Sequence, residues 1–188
     1  MLTTPRAPRL LLLGDSITAG FDTARLLPEL AIRNEGVSGD STVELLERLR
    51  PEWLPTPTLQ AVFVCIGTND LARARTDEFI LQQIIRIVAA VRQAAAPGLP
   101  IYLTSLFPTR DNAPRPNARI VGFNQQLAQL SRQLGAPFLN LHPHFTDETG
   151  QLRADFTDDG LHLLEAAYAR WALLLREVVQ EQGLASGS

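Results

Sequence analysis

Short apolar runs, separated by glycine, proline and polar turns, recur along this chain and predict a set of buried strands. Each run is four to six residues long, which is typical of a strand and too short for a helix. The run at 61–66 is continuously apolar and rich in β-branched residues, as expected for a strand covered on both faces. We predict five strands, at residues 10–13, 31–34, 61–66, 101–106 and 137–141.

Segments with apolar residues at helical spacing lie between these runs. Ser41 and Glu44 fit a capping box, which predicts a helix that ends at Pro51. Thr76, followed by two acidic residues, predicts the start of another helix, and Gly135 is placed to end a third. The remaining helical segments are predicted as a short helix within 18–30, a helix over 119–134 and a helix over 164–179.

Strands that alternate with helices indicate an α/β fold, a three-layer α/β/α sandwich around a five-stranded parallel sheet. Right-handed crossovers would place helices on both faces of that sheet. The chain has 188 residues, and we expect one domain over 1–183 followed by a disordered tail at 184–188. Residues 142–163 form a long connection, and loops of such length are usually functional or disordered.

Charge and composition exclude several classes of function. The net charge is −3, so electrostatics give no reason to expect a nucleic acid or an anionic membrane as partner. All 17 basic residues are arginines. The absence of lysine excludes Schiff-base chemistry, a Ser-Lys dyad and a phosphate-binding P-loop lysine.

Cys65 is the only cysteine of the chain, so no intrachain disulfide can form, and its apolar surroundings predict a buried, inert thiol. The apolar stretch near the N-terminus is too short for a signal peptide, and no run approaches membrane-spanning length. We therefore expect a cytoplasmic protein without stable membrane insertion.

Polar residues follow the predicted strands at the points where the strands end. Ser16 follows the first strand, and the carboxyl ends of parallel strands form the ligand-binding edge of such a sheet. A serine hydroxyl needs an adjacent base to become a nucleophile. His162 is the candidate base, because Asp159 lies three residues before it and can orient its ring. Asp158 is the second choice for that acid.

Attack of a serine on a carbonyl carbon also needs donors that stabilise the developing oxyanion. The backbone N–H of Ser16 is one candidate. Gly39 offers a second backbone N–H, since glycine permits close approach of a ligand. The neutral side-chain amide of Asn69 is the third candidate.

Each of these residues also has a plainer interpretation. Gly39, Asn69 and the Gly-Asp-Ser sequence around Ser16 are common in turns, and His162 alone could simply begin a helix. The joint occurrence of all of them, each after a strand, favours catalysis. His142 and His144 could form a metal-binding pair, but no further ligand set is evident, so we expect no metal and at most a position at the rim of the pocket.

Taken together, the short sequence blocks around Ser16, Gly39, Asn69 and His162 resemble the four blocks of the SGNH hydrolases, also called the GDSL esterase/lipase family. The resemblance extends over about residues 10–175. Its only departure from the name-giving motif is Ile17 in place of leucine, a volume-conserving change. The matching blocks are Gly14-Asp15-Ser16-Ile17, Asn34-Glu35-Gly36-Val37-Ser38-Gly39-Asp40, Gly67-Thr68-Asn69-Asp70 and Asp159-Gly160-Leu161-His162.

The resemblance implies a flavodoxin-like sheet with strand order 2-1-3-4-5 and no cofactor. It also implies a catalytic triad of Ser16, His162 and Asp159, with an oxyanion hole made by the Ser16 and Gly39 backbone amides and the Asn69 side chain. Residues 106–110 and 155–162 are similar to those of small acetylhydrolases, namely those related to the platelet-activating-factor acetylhydrolase catalytic subunits and the sialate-O-acetylesterase-like proteins.

We therefore expect a serine esterase that acts on small esters with short acyl groups, acetyl in particular, as a monomer or homodimer. The alternatives are a thioesterase or lysophospholipase of the same family and a non-enzymatic flavodoxin-like binding module. Arg73 or Arg110 could meet a polar alcohol group. The other residues expected to line the pocket are Asp15 and an apolar wall of Val37, Leu71, Leu106 and Phe107.

Overall fold

The described residues, 9–54 and 57–184 of a computed structural model, contain a five-stranded parallel sheet. The strands lie in the order β2-β1-β3-β4-β5, which confirms the topology that the family resemblance implies. The strands are β1 (Leu10–Gly14), β2 (Ile32–Gly36), β3 (Ala61–Cys65), β4 (Ile101–Thr104) and β5 (Phe138–Leu139).

The register of the three central strands aligns their carboxyl ends. Gly14, the last residue of β1, lies opposite Gly36 at the end of β2 and Cys65 at the end of β3. The segments that follow these strands therefore leave the sheet at the same edge. This alignment brings the blocks after β1, β2 and β3 together, although they are far apart in sequence.

Of the seven helices in the described chain, six lie between strands and the last follows β5. Five helices were expected from the sequence; the helix at Thr68–Ala72 was not predicted, and the segment at 18–30 holds one short helix, Thr23–Leu26, while a further short helix begins before it, at Ser16. The helices are α1 (Ser16–Ala19), α2 (Thr23–Leu26), α3 (Thr42–Arg48), α4 (Thr68–Ala72), α5 (Asp77–Ala94), α6 (Asn117–Leu134) and α7 (Glu165–Glu181).

The sheet is covered on both faces, which confirms the three-layer sandwich. Leu10 and Leu12 of β1 pack into one apolar core with residues of α7 such as Trp171. Leu11 and Leu13 point to the opposite face and pack into a second core with α3, α5 and α6, for example with Phe123. β1 is buried along its whole length, as its run of four leucines predicts.

The helix termini agree with the capping signals of the sequence. Ser41 and Glu44 form the predicted capping box at the start of α3. The Thr76 side chain accepts a hydrogen bond from the N–H of Phe79 and caps α5. Gly135 ends α6 in the left-handed conformation, with φ of 59°, which glycine adopts without steric cost.

The strand ends differ from the predicted ones, and the hydrogen bonds explain why. β2 extends to Gly36 because that residue pairs with the end of β1. β4 ends at Thr104, two residues early, because the N–H and C=O of Leu106 bond to the Asn124 side chain instead of a neighbouring strand. β5 is limited to two residues, since the chain turns where Leu141 N–H bonds to Leu139 O.

The long connection at 142–163 is ordered by short local structures. It contains 3₁₀ turns at His142–His144 and Ala154–Phe156, and an antiparallel bridge joins Thr146 to Leu152. The Phe145 ring is buried and packs edge-on against Phe107. This packing fixes the segment that carries the last sequence block.

Beyond α7, Leu184 packs partly buried against the α7 side of the sheet, and the rest of the predicted tail, 185–188, lies outside the described residues. Among the helices of the described residues, none has the length and apolar character to cross a membrane.

Candidate active site

Ser16 lies at the N-terminus of α1, in the tight turn that follows β1. The turn depends on Gly14, because a Cβ there would lie 2.6 Å from the Cys65 carbonyl oxygen and closer still to the Thr18 side chain. Asp15 caps α1 by accepting a hydrogen bond from the N–H of Ile17, 2.9 Å away. The Ser16 side chain is consequently held, partly exposed, at the edge of the sheet.

A hydrogen-bonded chain joins Ser16, His162 and Asp159. Ser16 Oγ lies 3.1 Å from His162 Nε2, and His162 Nδ1 lies 2.6 Å from Asp159 Oδ2. The ionised carboxylate can only accept, so Nδ1 carries the proton and Nε2 presents its lone pair to the serine hydroxyl. This arrangement is suited to deprotonating Ser16 Oγ.

Asp159 is held as a carboxylate. Burial raises its pKa, but hydrogen bonds from the His162 ring and from the backbone N–H groups of Leu161 and His162 outweigh burial, so the pKa lies well below its usual range. Asp159 is thus the acid in contact with His162, and it and Asp158 are both exposed. His162 itself is about half exposed, at 53%, so the site is open to solvent.

Gly160 ties this loop to the segment after β4. Its carbonyl accepts a hydrogen bond from the N–H of Arg110 at 2.8 Å, and its φ is +78°. A Cβ on Gly160 would lie 2.0 Å from the Arg110 carbonyl oxygen. Glycine is therefore required here for two reasons, the left-handed backbone and the close approach of another chain segment.

Gly39 lies in the loop after β2 with a φ of +85° and no atom within 4 Å of the place that a Cβ would occupy. The loop is held at both sides. Arg48 bonds to the Asp40 carboxylate and to the carbonyl oxygens of Gly14 and Glu35, and Arg73 donates to the Gly39 carbonyl oxygen at 2.9 Å.

Asn69 lies in the first turn of α4 and contacts the Gly39 loop. Its Nδ2 donates to the Asp40 carbonyl oxygen at 2.8 Å. Its Oδ1 accepts from Arg115 Nη2 at 3.0 Å. A primary amide carries two N–H groups, so one N–H of Asn69 is left for a ligand.

The next residue, Asp70, fastens α4 to α3 beneath the site. The Asp70 side chain is fully buried and accepts hydrogen bonds from the Thr42 backbone N–H at 2.9 Å and from the Thr42 hydroxyl at 2.8 Å. Arg75 completes the set with an ion pair at 2.8 Å. These bonds satisfy a charge that would be costly to bury alone, and they hold the Gly39 and Asn69 segments side by side.

Asp15, next to the candidate nucleophile, is 2% exposed. Burial raises its pKa to about 6, and the raised value remains after the opposing effects of the Ile17 N–H, Arg115 and His162. The side chain serves as a cap and has little contact with solvent. It was expected to line the pocket, and the structure places it beneath the surface.

The predicted apolar wall is not where the sequence analysis placed it. Leu71, Leu106 and Phe107 are each no more than 2% exposed, and Phe107 packs edge-on against Trp171. Only Val37 of that group is exposed, at 41%. The reason is that apolar residues just past a strand can continue into the core as readily as they can face a ligand.

The two predicted pocket arginines lie near the site but already have acidic partners. Arg73 bonds to Glu44 at 2.7 Å, and Arg110 forms an ion pair with Asp147. Either guanidinium would have to share its charge with a substrate group.

Arg115 is the site residue that sequence reasoning missed. It belongs to the proline-rich loop at 111–116, for which the sequence predicts no site residue. No pattern in that loop distinguishes Arg115 from the other arginines of the chain. Its contact with Asn69 arises only because the loop folds back over α4.

His142 and His144 do not join a metal-ligand cluster. In the part of the chain that the structure describes, no group of three or more His, Cys, Asp or Glu side chains is arranged to hold a metal. His144 Nδ1 accepts from Arg170 Nη2 at 3.1 Å, and burial lowers the pKa of His142.

Fold and site together define a three-layer α/β/α protein with a flavodoxin-like parallel sheet and a serine–histidine–aspartate chain at the carboxyl ends of its strands. The GDSL-like lipase/acylhydrolase family matches residues 12–170, and the chain belongs to this family. It is therefore a hydrolase, and ester hydrolysis is the chemistry that the family supports.

The similar proteins agree with this assignment. The chain is 30% identical to the platelet-activating factor acetylhydrolase IB subunit alpha1 of Rattus norvegicus, over 95% of this chain and 80% of the relative. A solved structure of a platelet activating factor protein from Streptococcus pneumonia aligns with a TM-score of 0.86 and 28% identity, over 95% and 86% of the two chains. A GDSL-like lipase from Bacteroides thetaiotaomicron, 20% identical over 93% and 88% of the two chains, shares the fold with a TM-score of 0.79.

Proposed function

We propose that this protein is a serine esterase that hydrolyses small carboxylic esters with short acyl groups, acetyl in particular. The observation that carries the proposal is the hydrogen-bonded chain from Ser16 Oγ through His162 to Asp159. A non-enzymatic binding module would have no use for a serine held against a histidine base.

In the proposed mechanism, Ser16 Oγ attacks the acyl carbonyl carbon while His162 Nε2 takes the hydroxyl proton. The Asp159 carboxylate stabilises the imidazolium that forms. The tetrahedral intermediate then collapses, the C–O bond to the alcohol breaks, and His162 returns the proton to the departing alkoxide. Water then attacks the acyl-enzyme while His162 takes one of its protons. The second tetrahedral intermediate collapses, His162 returns the proton to Ser16 Oγ, and the carboxylic acid is released.

We assign the oxyanion hole to the backbone N–H groups of Ser16 and Gly39 and the remaining N–H of Asn69. The uncrowded, positive-φ conformation of Gly39 supports its part, and the neutral amide of Asn69 can donate without altering the ionisation of the triad. Loss of one such donor typically costs roughly 100- to 1,000-fold in rate. Asn69→Ala should show a kcat loss of this size, and Asn140→Ala, an exposed amide after β5, is its control.

A short acyl group is supported by the solvent exposure of His162 and by the burial of Leu71, Leu106 and Phe107, which were expected to form an apolar wall. The similar rat protein is named as an acetylhydrolase subunit, which points the same way. The thioesterase or lysophospholipase alternative, which the lipase/acylhydrolase family description allows, requires room for a longer chain.

The test compares wild-type protein with Ser16→Ala on p-nitrophenyl acetate and p-nitrophenyl octanoate. We expect hydrolysis of the acetate, a lower kcat/KM for the octanoate, and no activity above background in Ser16→Ala. A preference for octanoate would favour the lipase-like alternative, to be followed with acyl-CoA and lysophospholipid. Equal activity in both proteins would refute the serine esterase and return the binding module to consideration.

The cellular location, oligomeric state and partners of the enzyme are inferred from its charge, its cysteine content and its relatives. We propose that it acts in the cytoplasm on a small ester, as a monomer or homodimer, without nucleic acid or membrane partners. The net charge of −3 and the single cysteine support this setting, and the name of the rat relative describes a subunit of an assembly. Light scattering on the eluted peak of a sizing column would give the oligomeric state.

A further inference from the structure

We infer that Arg115 is a positioning residue that holds the Asn69 side-chain amide in the orientation needed for oxyanion binding. The inference rests on the proposed function, since it concerns how one donor of the proposed oxyanion hole is aimed. Arg115 lies in the loop before α6 and belongs to none of the four sequence blocks.

The Arg115 guanidinium binds the start of α4 at two points. Nε donates to the Thr68 carbonyl oxygen at 3.0 Å, and Nη2 donates to Asn69 Oδ1, also at 3.0 Å. The planar fork of an arginine is suited to such paired contacts, because its donors are fixed relative to one another. The two bonds place the guanidinium in a defined position against the amide.

The partners of Asn69 permit one orientation of its amide. Arg115 can only donate and the Asp40 carbonyl can only accept. A flipped amide would place its N–H₂ against the guanidinium and its oxygen against the carbonyl, so both contacts would be repulsive. The observed orientation leaves the second N–H of Asn69 free, and a charged donor on Oδ1 strengthens that N–H through polarisation of the amide.

Arg115 is itself held in place, and the acid that its charge affects is the buried Asp15. Its backbone N–H bonds to Asn112 O at 3.0 Å, and its carbonyl accepts from the Thr109 hydroxyl at 2.7 Å. Among the described residues it forms no ion pair with a carboxylate, in contrast to Arg73 and Arg110. Its Nε and Nη2 are directed at α4, and its Nη1 lies 3.5 Å from Asn112 Oδ1, so pairing with a surface acid does not account for its position.

The test is a double-mutant cycle with p-nitrophenyl acetate on Arg115→Met, Asn69→Ala and the combination of both. We expect Arg115→Met to lower kcat by about 10- to 100-fold, less than the loss of the donor itself, with KM nearly unchanged. In the Asn69→Ala background, the same substitution should change kcat by less than about twofold, because residues that act as a unit are not additive.

Two further variants separate positioning from folding and from charge. Arg92→Met, in the last turn of α5, removes an arginine that bonds to the Leu134 carbonyl and should leave kcat unchanged. Arg115→Lys keeps the charge but loses the planar fork, so its kcat should lie between those of wild type and Arg115→Met. All rates are measured below the thermal transition of each variant, where the folded fraction does not limit kcat.

Several outcomes would overturn the inference. Unchanged kcat in Arg115→Met, full activity in Arg115→Lys, or equal kcat losses in the presence and absence of Asn69 would each do so. If Arg115→Met lowers kcat equally in the wild-type and Asn69→Ala backgrounds and also raises KM for anionic esters, Arg115 binds substrate directly. These outcomes are distinct from failure of the proposed function, which would appear as an active Ser16→Ala enzyme.

Discussion

At the scale of single residues, the site depends on groups whose hydrogen bonds fix their protonation. Asp159 accepts from a ring nitrogen and two backbone N–H groups, which keeps it ionised. Asp15 is in the opposite situation, because burial outweighs its bond to Ile17. Two aspartates of one small site are thus expected to differ in charge near pH 5, and the difference arises mainly from solvation and hydrogen bonding.

The raised pKa of Asp15 predicts a pH-dependent cost to stability. Its pKa rises from 3.8 in the unfolded chain to about 6 in the fold, so between these values the folded state binds more protons than the unfolded state. The free energy of unfolding should therefore be unaffected by Asp15 below about pH 4 and fall by about 3 kcal/mol as the pH rises through 6.

Asp15→Asn is the comparison for this prediction, because its amide oxygen can still accept from the Ile17 N–H. Urea unfolding of both proteins between pH 4 and 7 should show a stability difference that shifts in favour of the variant as the pH rises. A constant offset between the two curves would mean that Asp15 titrates normally in the fold.

At the scale of elements, the site is assembled from loops that are pinned to one another. The Gly39 loop is held by Arg48 and Arg73, and the loop of Asp159 and His162 is joined to the segment after β4 at Gly160. The bonds of Arg48 to Gly14, of Arg73 to Gly39 and of Arg110 to Gly160 each join segments that leave different strands. The geometry of the serine–histidine pair therefore depends on backbone contacts that lie outside the triad.

Gly160→Ala tests this dependence. The new Cβ would lie 2.0 Å from the Arg110 carbonyl oxygen, so the loop must move, and with it His162. We expect at least a tenfold fall in kcat/KM, on the order of the loss that a 1 Å misplacement brings. The measurement is steady-state hydrolysis of p-nitrophenyl acetate.

Gly150→Ala is a matched control for that variant. Gly150 has nearly the same φ, +79°, but nothing lies within 4 Å of the added carbon. Gly150→Ala should lower the free energy of unfolding only by the strain of the left-handed backbone, about 1 kcal/mol, and should keep full activity. Equal activity loss in both variants would show that backbone strain, and not the contact with Arg110, is responsible.

Much of the secondary structure could be predicted from the sequence, because it depends on local signals. The apolar run of β1, the Ser41–Glu44 capping box and the Gly135 cap each act within a few residues. The early end of β4 could not be predicted. It depends on the Asn124 side chain, which lies 18 positions away from Leu106 and replaces a neighbouring strand as hydrogen-bond partner.

The same distinction applies to the site. Ser16, Asp159 and His162 could be proposed together because each follows a strand of a parallel sheet, and the structure brings them into contact. Arg115 could not be proposed, since nothing in its own loop indicates the contact with Asn69. The apolar wall was wrongly placed because the sequence does not show whether Leu106 and Phe107 turn toward the core or toward a ligand.

At the scale of the whole molecule, we propose that the chain forms one domain. The two apolar cores lie on opposite faces of one sheet and share its strands, since alternate residues of β1 and β3 enter each core. If the strands unfolded, the apolar residues of both cores would be exposed to solvent together. The described strands also interleave in sequence with the helices that cover both faces.

This arrangement predicts a single cooperative unfolding transition. Far-ultraviolet circular dichroism, which reports the helices, and tryptophan fluorescence, which reports Trp171 in one core and Trp53 at the margin of the other, should give coincident thermal curves. Separate midpoints for the two signals would mean that the two faces of the sheet unfold independently and would contradict the one-domain proposal.

The central claim is that Ser16 is the nucleophile, and covalent labelling tests it most directly. Incubation with an alkyl fluorophosphonate, followed by intact-protein and peptide mass spectrometry, should show one adduct on the wild-type chain, located on Ser16. Ser16→Ala should remain unlabelled. An adduct on another side chain, or equal labelling of Ser16→Ala, would contradict the account.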